Sequence, residues 1–171
     1  MKSNIALIGF MGTGKTAVAK VLAPKLGKEF IELDGIIEKR AGKSINEIFV
    51  KDGEIRFREL EIEATREVAN KKNAVIACGG GIVLNTINID RLKRESVIIC
   101  LTASPAVILK RTSDEKDVRP LLKVTDQLKQ IKTMLKNRQP FYRWAADITI
   151  NTSGLTIASV ADKILEALEK K

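Results

Sequence analysis

Histidine is absent from this 171-residue chain. Proton transfer must therefore fall to carboxylates, to lysines, or to an oxyanion of the substrate itself. Aromatic residues make up only 4% of the chain, with one Trp and one Tyr. Thirty Lys and Arg stand against twenty-one Asp and Glu, giving a net charge of +9, but the basic residues are spread along the chain. Without a stacking platform that excess does not read as nucleic-acid binding; it suits an anionic small molecule held in a local cleft. Cysteine is scarce, and Cys78 and Cys100 each close an apolar run, which marks them as small buried hydrophobes rather than a disulfide or metal pair. Long apolar runs are missing as well. The N-terminal run, Ile5 to Phe10, is six residues long, too short for a signal core or a membrane span, so a cytoplasmic location and no membrane partner are expected. Repeats, low-complexity tracts and flexible linkers are also lacking, and the length suits one domain over residues 1–171.

What the chain does have is Gly9-Phe10-Met11-Gly12-Thr13-Gly14-Lys15-Thr16 directly after the apolar run Ile5–Ile8. The spacing fits the P-loop pattern without a mismatch and in the required strand-loop-helix setting. Gly12 and Gly14 let the backbone turn its N–H groups inward, and the dipole of the following helix adds positive potential at the same spot. A polyphosphate fits that concavity. Gly12, Thr13, Gly14, Lys15, Thr16 and Ala17 form the expected ATP-binding set, with Lys15 reaching the β- and γ-phosphates and the Thr16 hydroxyl placed to ligate Mg²⁺.

Apolar strand-like runs recur at Ile5–Ile8, Phe30–Leu33, Ala74–Cys78, Val97–Leu101 and Ile148–Ile150, with helical patterns between them. This alternation predicts an α/β three-layer sandwich, a parallel sheet with helices on both faces. Val18, Val21, Leu22 and Leu26 repeat at helical spacing until Gly27. Ser44-Ile45-Asn46-Glu47 is a capping box for a short helix, and Asp52-Gly53 breaks it before a long charged helix from about Glu54 to Asn70. Ser104-Pro105 opens another helix, and Ile157, Val160, Ala161, Ile164 and Leu168 form the apolar face of the last. Residues 112–125 are polar and aperiodic, which in an NTP-using enzyme suggests a lid.

Four features outside the P-loop carry chemistry. Glu32-Leu33-Asp34 ends the second strand, and residues two apart on a strand point the same way, so both carboxylates are expected in one cleft. One would hold Mg²⁺ and the other would orient a hydroxyl, although Asp34 also suits a helix cap. Gly79-Gly80-Gly81 ends the third strand, where missing side chains allow a ligand close to the backbone N–H groups. Arg58, Arg119 and Arg138 suit bidentate recognition of a carboxylate and of phosphate oxygens. Asn151-Thr152-Ser153-Gly154 is a polar loop that would border the nucleotide base.

Together with Gly9–Thr16, the ordered set of Asp34 with Ile37-Glu38, Gly42-Lys43-Ser44-Ile45, Gly53-Glu54 with Phe57-Arg58 and Glu61, Gly79-Gly80-Gly81, Arg119-Pro120-Leu121-Leu122, and Arg138-Gln139-Pro140-Phe141-Tyr142 resembles shikimate kinase from about residue 3 to residue 160. The resemblance implies a five-stranded P-loop kinase with a lid, similar in fold to nucleoside monophosphate kinases, whose substrate region spans residues 34–62. It implies that Asp34 binds the shikimate hydroxyls and takes the proton of the attacking one. Arg58, Gly80 and Arg138 would hold the substrate, chiefly its carboxylate. Arg119 would reach the ATP phosphates from the lid, Arg111 would pack near adenine, and Phe49 and Phe57 would wall the acceptor pocket. Lys15, Asp34 and Arg119 are the expected catalytic set, Thr16 and Glu32 the expected metal residues, and a monomer acting on a small molecule the expected assembly. The chain departs from the family at Glu32, where Asp is usual, and in a less basic loop after Ile150. A kinase for another polyol or nucleotide, such as a gluconate kinase, is the rival enzyme reading; a nucleotide-dependent binding protein that has lost transfer is the rival of another class. Gly79–Gly81 and Arg119–Leu122 favour shikimate, and the retained Lys15, Thr16, Asp34, Arg58, Arg119 and Arg138 favour catalysis.

Overall fold

The computed structural model describes residues 1–113 and 126–171. The expected lid over 112–125, with Arg119, therefore lies outside the described residues except for Thr112 and Ser113. Strands β1 (Asn4–Ile8), β2 (Glu29–Glu32), β3 (Ala74–Ala77), β4 (Ser96–Thr102) and β5 (Ile148–Asn151) form one sheet in the order β2-β3-β1-β4-β5. Every pairing is parallel. All residues of β1 and β3 are buried, which explains why these strands read as continuous apolar runs rather than as alternating ones.

Eight α-helices accompany the sheet among the described residues: α1 (Lys15–Lys25), α2 (Leu33–Ala41), α3 (Ile45–Lys51), α4 (Gly53–Val68), α5 (Thr86–Glu95), α6 (Pro105–Ser113), α7 (Gln127–Ala145) and α8 (Ile157–Glu169). Successive side chains of a strand leave opposite faces, and the two faces here carry separate cores. Ile5, Leu7, Val75 and Ile99 pack with Val18 and Leu22 of α1 and with Val160 and Ile164 of α8. Ala6, Ile8, Ile76 and Ile98 pack with residues of α4, α5 and α7 such as Leu60, Leu92 and Ile131. The expected three layers are present. Cys78 and Cys100 are buried free thiols, and burial pushes them up to about 12 and about 11 respectively, so both stay protonated at neutral pH.

The local signals hold at several ends. Ser44 Oγ accepts from Glu47 N at 3.1 Å and Glu47 Oε2 accepts from Ser44 N at 3.0 Å, closing the capping box that starts α3. Ser104 Oγ accepts from Val107 N at 3.3 Å at the start of α6. The long charged helix stops at Val68, two residues short of Asn70. Ile157 stands out of the apolar face of α8, 46% exposed. The expectation that fails is the strand placement of Asp34. The second strand ends at Glu32, and Leu33, which is fully buried, already belongs to α2. Asp34 therefore sits in the first helical turn, and the cap position falls to Glu32, which makes no side-chain cap bond. Helix geometry, not strand alternation, directs the Asp34 carboxylate.

Candidate active site

The P-loop joins central strand β1 to α1. Gly14 is the residue before the helix and takes a left-handed backbone, φ 95, that a side chain would strain. A Cβ on Gly9 would strike the Leu101 carbonyl of neighbouring β4. Lys15 Nζ donates to Gly9 O at 2.8 Å and Phe10 O at 2.9 Å, so the ammonium lies folded over its own loop and is in place to exchange carbonyls for phosphate oxygens. Thr13 Oγ1 donates to Phe10 O at 2.7 Å.

Thr16 Oγ1 donates to Glu32 Oε1 at 3.3 Å, so the two expected metal residues meet despite the extra methylene of Glu32. Mg²⁺ is usually held by one or two protein oxygens, waters and substrate phosphates. A hydroxyl and a carboxylate beside a P-loop fit that demand. Among the described residues there is no group of three or more His, Cys, Asp or Glu that could form an all-protein cage.

On the β4–β5 side, Gly14, Ala17, Arg111, Thr152, Leu155 and Ile157 line a cleft next to the P-loop. Arg111 Nη1 donates to Gly12 O at 3.2 Å and Thr152 Oγ1 at 3.0 Å, and Nη2 donates to Thr152 O at 3.0 Å. The loop after β5 is thus tied to the phosphate loop through one guanidinium, where a base could slot beside it.

On the β2–β3 side a second pocket brings together Asp34, Arg58, Gly79, Gly80, Gly81 and Arg138, the whole expected acceptor set. Phe49 and Phe57 form its apolar wall, with ring centroids 4.8 Å apart. The glycines are needed for contact among elements. A Cβ on Gly79 would lie 3.0 Å from Asp34 Oδ1 and 3.2 Å from Glu61 Oε2, one on Gly80 would lie 3.2 Å from Met11 N, and one on Gly81 would strike the Arg58 guanidinium. Arg58 Nη1 donates to Glu61 Oε1 at 3.0 Å and Nη2 to Glu54 Oε1 at 3.2 Å. Glu61 is fully buried; burial raises its pKa, Arg58 pulls it down and Asp34 pushes it up, with the net shift upward. Arg138 lies within α7, 6% exposed, its guanidinium 5.7 Å over the Phe10 ring.

Two residues of this architecture carry no role on sequence reasoning: Glu61 and Tyr142. Both have a periodic signal. Glu61 follows Arg58 by three and Tyr142 follows Arg138 by four, spacings that place each on its arginine's face of the helix. Thr152, in the polar loop expected to border the base, does line that cleft, and its bonds to Arg111 have no sequence signal.

Chemically, the two clefts meet at the P-loop: one suits a base and triphosphate, the other a small polyol acid gripped by two arginines beside a carboxylate. The Shikimate kinase family model matches residues 11–169. A shikimate kinase of Caldanaerobacter subterraneus subsp. tengcongensis is 51% identical over 167 residues, covering 98% of this chain and 96% of its own. Another, from Thermodesulfovibrio yellowstonii, is 49% identical, covering 98% of this chain and 95% of its own. Among solved structures, shikimate kinase from Acinetobacter baumannii in complex with shikimate superposes with a TM-score of 0.94 at 37% identity, covering 99% of this chain and 94% of that one. With an ordered pocket and near full-length likeness in agreement, the chain belongs to the shikimate kinase family.

Proposed function

We infer that the enzyme transfers the γ-phosphoryl group of ATP to the 3-hydroxyl of shikimate, giving shikimate 3-phosphate and ADP within aromatic amino acid biosynthesis. The observation that carries this reading is the convergence of Arg58, Arg138, Asp34 and the glycine triplet on one pocket beside the P-loop. Phosphoryl transfer asks chiefly for in-line positioning and for neutralising charge on the transferred group. Arg58, Arg138 and the backbone around Gly80 grip the carboxylate and so fix the ring. Asp34, at the start of α2, orients the attacking hydroxyl and accepts its proton, since no histidine competes for that task. Lys15 leaves the Gly9 and Phe10 carbonyls for the β- and γ-phosphates. Thr16 and Glu32 are the residues that would hold Mg²⁺, which supplies charge neutralisation across the phosphate oxygens. Arg119, from the lid over 112–125, adds a further cation, and closure excludes water that would otherwise hydrolyse the γ-phosphate. Residues 34–62 form the substrate-binding region, the molecule works as a cytoplasmic monomer, and its partner is a small molecule rather than nucleic acid or membrane. Among the described residues no helix is long and apolar enough to cross a membrane.

Coupled measurement of ADP release with and without shikimate tests the assignment. Turnover should depend on shikimate; stimulation by a different polyol or a nucleotide, with shikimate inert, would overturn it.

Arg58→Ala and Arg138→Ala are each expected to weaken shikimate binding by about 1.5–3 kcal/mol, the size of a charge-assisted hydrogen bond, while ATP binding stays nearly intact. Calorimetric titration of both ligands checks this, and equal losses for ATP would move those arginines out of the acceptor site.

Gly81→Ala should displace the Arg58 guanidinium, because the new Cβ would occupy its place. The KM for shikimate is expected to rise roughly 10–100-fold, the scale of an ångström-level misplacement, with the KM for ATP unchanged. Steady-state kinetics with each substrate varied in turn gives the comparison.

A further inference from the structure

We propose that Tyr142 is the positioning residue for the carboxylate end of the acceptor site, one phenol holding both the Gly80 peptide and the Arg138 guanidinium in place. The proposal rests on the shikimate reading above and adds a residue to it. Tyr142 Oη donates to Gly80 O at 2.5 Å across 62 residues of sequence. Arg138 lies one turn earlier on the same face of α7, and its charge acts on the same phenol. A phenol has one donor and spare acceptor capacity, so while it donates to the Gly80 carbonyl its lone pairs remain able to face the neighbouring cation. The ring is 6% exposed and does not line the acceptor pocket, so Tyr142 acts from behind the two groups and not on the substrate.

The need for such a clamp follows from the glycines. Three consecutive residues without side chains have broad backbone freedom and no packing of their own to fix them. A peptide unit is planar, so holding the Gly80 carbonyl also sets the direction of the Gly81 N–H across the same bond. Arg138 is the other half of the clamp. Its long side chain would otherwise lose considerable rotamer freedom each time it met an anion, and packing beside the phenol and over the Phe10 ring removes part of that cost before the substrate arrives.

The phenol stays protonated throughout the working range. Burial raises it from 10.0 to about 12, against the opposing pull of Arg138 and Arg58 and with a small push from Cys100. The stabilising effect of the protonated phenol is fully present below pH 10 and is lost as pH rises through about 12. The donor to Gly80 is therefore constant over physiological pH.

The test uses the intact enzyme and Tyr142→Phe, which removes one oxygen and keeps the ring. The KM for shikimate should rise ~10-fold, as for a lost hydrogen bond next to a charge, with kcat and the KM for ATP within about threefold. With an acceptor analogue bearing a neutral carboxamide in place of the carboxylate, the difference between parent and variant should disappear. An unchanged KM for shikimate, or an equal penalty for the carboxamide, overturns the role. Because Tyr142 is the sole tyrosine, biosynthetic 3-fluorotyrosine reports on this residue alone in the otherwise unaltered chain. Its ¹⁹F resonance should move on saturation with shikimate and much less with the carboxamide; no movement sinks the proposal even if the Phe variant folds poorly. Failure of the parent enzyme to use shikimate overturns the function reading and this role with it, whereas normal turnover without the KM split removes Tyr142 alone.

Discussion

Asp34→Asn is expected to lower kcat roughly 10²-fold or more while leaving the fold and ATP binding in place, the range typical of a positioned general base. The amide keeps the size of the carboxylate and much of its hydrogen bonding but has no basicity, and the chain offers no histidine to take over. The location supports the choice. Asp34 lies in the first turn of α2, lines the acceptor pocket and sits close enough to Gly79 that a methyl group there would touch its Oδ1. A helix-cap role predicts something else: near-normal kcat and a fall in Tm, with a stability loss of about 1 kcal/mol. The cap position belongs to Glu32, so the catalytic outcome is expected. Turnover and thermal melting on one preparation decide the matter.

Lys15→Met should have a comparable or larger effect, about 10²–10³-fold in kcat, the cost of removing one preorganised charge-stabilising group. Methionine fills the space of the aliphatic stem and deletes the ammonium. The bonds from Lys15 Nζ to Gly9 O and Phe10 O also hold the loop in its present shape, so some loss of ATP affinity should accompany the drop. Single-turnover rates at saturating ATP separate the two contributions. A chemical step within a few fold of the parent's, together with a lower Tm, would reduce Lys15 to a clasp for its own loop.

The P-loop was legible because its chemistry is local: glycines that permit a turn, a lysine and a hydroxyl at fixed offsets, and a strand before them. Gly79–Gly81 could be read for a similar reason, since three adjacent glycines imply close approach, and the structure names the neighbours as Asp34, Glu61, Met11 and Arg58. The shared strand edge expected for Glu32 and Asp34 does not form; a strand-to-helix turn at Leu33 puts Asp34 in the acceptor pocket, while Glu32 meets Thr16 of the P-loop side. Helix α5 is covered only by the general alternation of strands and helices, because Thr86–Glu95 is mostly polar and few apolar side chains, chiefly Ile89 and Leu92, pack it onto the sheet. Tyr142 was visible only as a motif member. Its hydrogen bond spans distant parts of the sequence, and no local pattern announces such a contact.

The strand order divides the molecule's responsibilities. With β1 in the centre, the acceptor pocket draws mainly on the segment between β2 and the turn after β3, and the base cleft on the segments around β4 and β5. A lineage could thus exchange residues 33–82 and acquire a different alcohol to phosphorylate while inheriting its nucleotide machinery unaltered. One structural debt crosses that border: Arg138 and Tyr142 arrive from α7, in the other half of the chain. Any such graft must either keep a glycine carbonyl where the tyrosine can find it or change the helix too, so acceptor choice in this scaffold is inherited through two separated stretches of sequence rather than one.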